Sequence, residues 1–79
     1  MQIAYILISC ELGSEQAIVD DLKTIEGVKE VQPTYGIYDV LAKVEAQDEH
    51  KLREIIANKI RQMNQVRATI TLLKIKEQG

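Results

Sequence analysis

The sequence predicts an α+β domain, and three observations carry the prediction. Four β-like runs and two amphipathic helical runs follow one another in the order strand, helix, strand, strand, helix, strand. Gly13, Gly27 and Gly36 fall between those runs as punctuation. The 79 residues contain no repeat, linker or low-complexity segment and make one small domain. This order is the βαββαβ arrangement of ferredoxin-like folds. Right-handed crossovers then place two helices on one face of a four-stranded antiparallel sheet.

The first strand spans Gln2 to Cys10. Its odd positions (Ile3, Tyr5, Leu7) and even positions (Ala4, Ile6, Ile8) are all apolar, which suits a central strand covered on both faces. Gly13 and Ser14 break the run, and the Ser14 hydroxyl is placed to accept from free helix amides, with Glu15 favourable in the first turn. Ala17, Ile18, Leu22 and Ile25 recur at helical spacing, predicting a helix from Glu15 to about Glu26 that Gly27 stops. Val28 to Thr34 reads as a strand, and Pro33 inside it argues for an edge strand or a bulge near its end. Tyr35 and Gly36 then reverse the chain into a strand from Tyr38 to Ala46, with Val40, Ala42 and Val44 on one face and Leu41 on the other.

Asp48 is the expected N-cap of a second helix, whose Leu52, Ile55, Ile56, Ile60 and Met63 trace an apolar stripe. Glu49 and Arg53 form an i,i+4 pair on its exposed side, and Asn64 is placed to end it in a left-handed conformation. Val66 to Ile75 is the last strand. It sets Thr69, Thr71 and Leu73 on one face and Ala68, Ile70 and Leu72 on the other, and Glu77 to Gly79 are expected to fray. Two helices cover only one side of such a sheet. The apolar residues on the other side need a cover of their own, and a second copy is the simplest, so a homodimer is expected.

Composition narrows the function. Twelve acids against ten bases leave a net charge of −2, without the basic footprint of phosphate binding, so no direct nucleic-acid contact is expected. An RNA-binding version of this fold would stack bases on aromatic residues, whereas this chain has no Phe or Trp and only Tyr5, Tyr35 and Tyr38. The single cysteine, Cys10, has no disulfide partner and no metal-ligand spacing. It reads as a small buried apolar residue of a reduced, cytoplasmic protein, and neither a metal nor a cofactor is expected. Asp20, Asp21, Glu26, Glu45, Glu49 and Glu54 fall on predicted exposed faces or turns. His50 has no Ser or Cys placed as its nucleophile, so the chain reads as no enzyme, with no catalytic residues. The run Ile3 to Ile8 is too short to cross a bilayer and lacks a secretory leader, so no membrane role is expected.

One stretch is more specific. Gly27-Val28-Lys29-Glu30-Val31, followed by Tyr35-Gly36-Ile37-Tyr38-Asp39-Val40-Leu41-Ala42-Lys43-Val44, sets a glycine turn, a tyrosine and an aspartate at the entrance of an apolar strand. This resembles the effector (RAM) domain of the Lrp/AsnC, or feast/famine, transcription regulators. Thr69-Ile70-Thr71-Leu72-Leu73 is similar to that family's last strand with its paired threonines. The resemblance covers almost the whole chain. It implies a single Lrp/AsnC-type ligand-binding and oligomerisation domain over 1–79, a stand-alone version without the helix-turn-helix domain that opens full-length members.

The resemblance further implies an amino-acid-sensing and oligomerisation module in transcription regulation and a homodimer that builds higher homo-oligomers, acting either by binding amino acids on its own or by co-assembly with full-length Lrp/AsnC regulators. Transferred by motif, the ligand-binding positions are Tyr35, Gly36, Tyr38 and Asp39 in the hairpin and Thr69 and Thr71 in the last strand. Their chemistry suits an α-amino acid, since a carboxylate pairs with an ammonium while turn amides and hydroxyls bind a carboxylate. Plainer readings stand beside these roles: Tyr35 and Gly36 close a hairpin, Asp39 is a solvated edge residue, and threonines favour strands. Two alternatives remain, a structural oligomerisation module without ligand and an ACT-like regulatory domain with its contacts at Gly13 and Ser14.

Overall fold

The structure, a computed structural model, describes residues 1–34 and 36–73. Its elements are β1 (Gln2–Cys10), α1 (Glu15–Leu22), β2 (Val28–Pro33), β3 (Val40–Ala46), α2 (Glu49–Ile55), which continues into a π-helical turn (Ile56–Ile60), and β4 (Val66–Leu73). All strand pairings are antiparallel and the sheet order is β2-β3-β1-β4, the ferredoxin-like arrangement. β1 is central, as its doubly apolar pattern requires.

Strand periodicity builds the core. Ala4, Ile6, Ile8 and Cys10 of β1 and Val40, Ala42, Val44 and Ala46 of β3 are buried, while the residues between them are half-buried on the other face. Ile18, Val19 and Leu22 of α1 close over this layer with Leu52, Ile55, Ile56 and Ile60 from α2 and its π turn. Residues directly opposite in antiparallel strands share a face. The pairs Ile8 with Thr69 and Ile6 with Thr71 therefore put both threonines on the helix side. The helix-free side carries Tyr5 beside Leu72 and Lys43, and Leu7 beside Ile70 and Leu41.

Several local expectations are corrected. α1 ends at Leu22, short of Glu26, because the next amides take i−3 acceptors: Thr24 N donates to Asp21 O at 3.1 Å and Ile25 N to Leu22 O at 3.1 Å. The Thr24 hydroxyl adds a bond to the same Asp21 carbonyl at 2.7 Å. Ala17 is exposed and Val19 takes its expected place in the core. Ser14 makes no side-chain cap, since its backbone (φ −97°, ψ 0°) is not extended, whereas Asp48 is extended and accepts from Lys51 N at 2.7 Å. β2 stops at Pro33, and β3 begins at Val40 instead of Tyr38. Asn64 is not left-handed, as no described residue other than glycine has positive φ. The chain leaves α2 through two short turns, with Met63 N donating to Ile60 O and Val66 N to Met63 O. The expected end of the last strand and its fraying tail, residues 74–79, lie outside the described residues.

Candidate functional site

The β2–β3 hairpin is held by backbone bonds from both sides. Thr34 N donates to Asp39 O at 2.8 Å, and the Thr34 hydroxyl donates to Tyr38 O at 2.7 Å. Asp39 N donates to Ile8 O at 2.8 Å, tying the loop to the central strand. Gly36, at φ +118°, makes the reversal in a conformation that L side chains rarely adopt, and a Cβ there would meet nothing within 4 Å. The space above the turn is open. Gly36, Tyr38 and Asp39 are thus brought together in one loop as expected, while Tyr35 lies outside the described residues.

Asp39 has an internal partner. Its Oδ2 accepts from the Cys10 amide at 3.0 Å and from the Cys10 thiol at 3.8 Å, where the chain leaves β1. The plainer reading of Asp39 as a solvated edge residue does not hold, since it is half-buried and its carboxylate bonds the end of the central strand. Burial pushes the Cys10 thiol above its ordinary value of 9.0, and the negative charges of Asp39 and then Glu15 push it further. Oδ1 of Asp39 has no hydrogen-bond partner among the described residues and remains available to a cation or ammonium group.

Thr69 and Thr71 do not join this loop within one chain. β1 stands between β3 and β4, which separates them by two strand spacings, about 10 Å. No hydrogen bond among the described residues links either threonine to Gly36, Tyr38 or Asp39. Thr71 instead lines a shallow cleft of about 260 Å³ with Arg53, Ile56, Ala57, Arg61 and Leu73. A larger hollow, about 1020 Å³, is at the opposite end of the sheet, where Gly27, Lys29, Glu45, Asp48 and Lys59 are among its walls, and it contains none of the expected ligand residues. It is an open groove of mixed charge, and size alone does not make it a binding site.

Sequence reasoning missed two participants at the hairpin, Thr34 and Cys10. Thr34 carried a signal, since its hydroxyl stands four residues before the carbonyl it meets. Cys10 carried none, because its partner is 29 residues away in the chain.

The model of the Lrp/AsnC ligand binding domain matches residues 3–78. The chain belongs to the Lrp/AsnC ligand-binding domain family. The FFRP-DM1 crystal structure superposes on this Lrp/AsnC domain with a TM-score of 0.92 and 35% identity, covering 95% of this chain and 100% of that one. PHS023, a hypothetical protein of Pyrococcus horikoshii, gives 0.91 and 35%, covering 98% and 93%. A homocitrate synthase of Sulfurisphaera tokodaii is 43% identical over 75 residues, which are 94% of this chain but 16% of the synthase. The Lrp/AsnC domain thus spans about a sixth of that relative, in which it is a minor part. Family membership also sets aside the ACT-like alternative at Gly13 and Ser14. It supports a regulatory, ligand-binding role in place of a catalytic one. No helix among the described residues is long and apolar enough to cross a membrane.

Proposed function

We propose that this single domain over 1–79 is a cytoplasmic sensing and assembly module that binds a small amino acid and takes part in transcription regulation, with no catalytic role of its own. The observation that carries the reading is the hairpin end of the sheet. There the open Gly36 turn and the free Oδ1 of Asp39 lie at the same end of the molecule as two apolar side chains left in water, Ile37 (85% exposed) and Leu12 (98%). Exposed apolar residues around a polar recess favour a pocket completed by another molecule. Asp39 takes the ammonium group, while the Gly36 turn amides take the carboxylate and Tyr38 contributes from the same loop; Tyr35 joins the site by motif alone. Thr69 and Thr71, two strand spacings off within one chain, come from a neighbouring copy.

The partners are a second copy on the helix-free sheet face, further dimers around the hairpins, and full-length Lrp/AsnC regulators by co-assembly. Both helices bury their apolar stripes against the sheet, which leaves no free recognition helix among the described residues. The chain alone should therefore not retard duplex DNA at physiological salt, and tight binding in a gel-shift assay would overturn that part of the reading. The likeness to the homocitrate synthase favours a second reading, in which the same ligand-binding unit regulates an enzyme.

Calorimetry with a panel of amino acids tests the pocket. A small amino acid should bind at or below millimolar concentration, and Asp39→Ala should weaken it by about 1.5–3 kcal/mol, the range for a hydrogen bond to a charged group. Because Asp39 also holds the Cys10 amide, Asp39→Asn is the matched control for folding. If no amino acid binds at millimolar concentration, the domain is a structural oligomerisation module. If binding survives Asp39→Ala, the pocket lies elsewhere.

A further inference from the structure

The second helix changes its winding where it passes β4. Arg61 N donates to Ile56 O at 3.0 Å, an i−5 bond, so Ile56–Ile60 forms a π turn. At 3.6 residues per turn, eight residues would carry Arg61 about 80° round the helix from Arg53. A π turn holds more residues and takes back part of that rotation, so Arg53, Ala57 and Arg61 come to line one cleft. The buried Ile56 and the small Ala57 give it apolar lining from the helix, and Thr71 and Leu73 line it from β4.

Among the described residues that line the cleft, the charged ones are Arg53 and Arg61. Arg53 spends its Nε on Glu49 at 3.1 Å, and Arg61 has no ion-pair partner among the described residues. The larger groove at the other end sets Lys29, Lys51 and Lys59 against Glu26, Glu45 and Glu54, which offset one another. The cleft therefore offers two guanidinium groups and a hydroxyl beside a short apolar lining. Guanidinium forks match the plane and spacing of carboxylates. Its volume of about 260 Å³ lies below the usual range of ligand pockets, about 300–1,000 Å³, and suits only an occupant of a few carbons.

We propose that the cleft between the π turn and β4 is an anion site for a short dicarboxylate, gripped by Arg53 and Arg61, with the Thr71 hydroxyl donating to one carboxylate and the carbon chain lying on Ala57 and Leu73. The site goes beyond the hairpin pocket and stands or falls apart from it, Thr71 being the only residue named in both.

Succinate, titrated into the intact ¹⁵N-labelled protein, is the probe. The amides of Ala57, Arg61 and Thr71 should shift and saturate while those of Gly36 and Asp39 stay still. Arg61→Gln should weaken succinate about tenfold or more, as loss of a charge-assisted fork requires, and Arg61→Lys should restore only part of it. Arg61 is exposed, so these variants keep the fold. Asp39→Asn should leave succinate affinity unchanged, which separates this site from failure of the amino-acid pocket. Shifts confined to the hairpin, or an Arg61→Gln affinity equal to wild type, would overturn the proposal. So would inorganic phosphate binding as tightly as succinate, because the cleft would then read charge and not the carboxylate fork.

Discussion

Asp39 has a structural role at the end of the central strand, and the proposed pocket would give the same side chain a second one. Its Oδ2 secures the Cys10 amide, the end of the central strand, while Oδ1 is open at the hairpin. The same carboxylate keeps the Cys10 thiol protonated, together with burial and Glu15. Folding raises the Cys10 pKa, so the native chain holds a proton that the unfolded chain releases. Stability from this group is full below 9.0 and falls as pH climbs past that value towards the folded pKa. Alkylation by iodoacetamide at mildly alkaline pH should be slower in the native protein than in urea, and Asp39→Asn should quicken it by removing one of the negative charges. Gly27 gives a contrasting case. At φ +100° a Cβ would stand 2.9 Å from Ile55 Cδ1 and 3.0 Å from the Glu45 carbonyl oxygen. The isoleucine tip can swing aside but the backbone oxygen cannot. Gly27→Ala should therefore cost about 2–4 kcal/mol in urea unfolding, from strain and overpacking together, against about 1–3 for Gly36→Ala, which meets strain alone.

At the level of elements, the two helix starts look alike in sequence and differ in geometry. Asp48 caps α2 through Lys51 N, whereas Ser14 caps α1 only with its backbone carbonyl, which accepts from Ile18 N at 3.0 Å. Thermal unfolding should show Asp48→Ala costing about 1 kcal/mol and Ser14→Ala close to nothing. The two sites together show what was legible. Side-chain periodicity fixed β1, β3 and the buried stripe of α2, because alternation and helical spacing follow from backbone geometry that every residue shares. Features that depend on a single dihedral or a distant partner were not legible: the failed Ser14 cap, the absence of a left-handed turn at Asn64, the π turn and the Cys10–Asp39 bond. At the candidate site Gly36, Tyr38 and Asp39 share one loop simply because they are neighbours in the chain. The sequence could not tell that Thr71, two strands away, borders Arg53 and Arg61.

The whole molecule is two-sided, and only one side is finished. Helices seal the face of Ala4, Ile6 and Ile8, while the opposite face leaves Ile70 40% and Leu72 52% exposed beside Tyr5, Leu7 and Leu41. Polar residues, Lys43 paired with Glu30 and Glu45 opposite Ile3, lie on the same face toward β2 and the start of β1. An apolar centre with a charged margin is the anatomy of a protein interface. The two edges of the sheet differ as well. β2 carries Lys29, Glu30, Pro33 and a register shift between Val28 and Glu30, all of which discourage further strand pairing. Association through the sheet face therefore satisfies more of the surface than extension past β2. Light scattering at micromolar concentration should report at least a dimer. Leu7 lies at the middle of the apolar row, between Leu41 and Ile70, and outside the helix-covered core. Leu7→Glu should leave the circular dichroism spectrum unchanged and weaken the dimer by at least about 2 kcal/mol, roughly thirtyfold in dissociation constant. A folded wild-type monomer at that concentration, or a Leu7→Glu dimer as tight as wild type, would leave the open face without a partner of its own kind and would take the shared-pocket reading of Thr69 and Thr71 down with it.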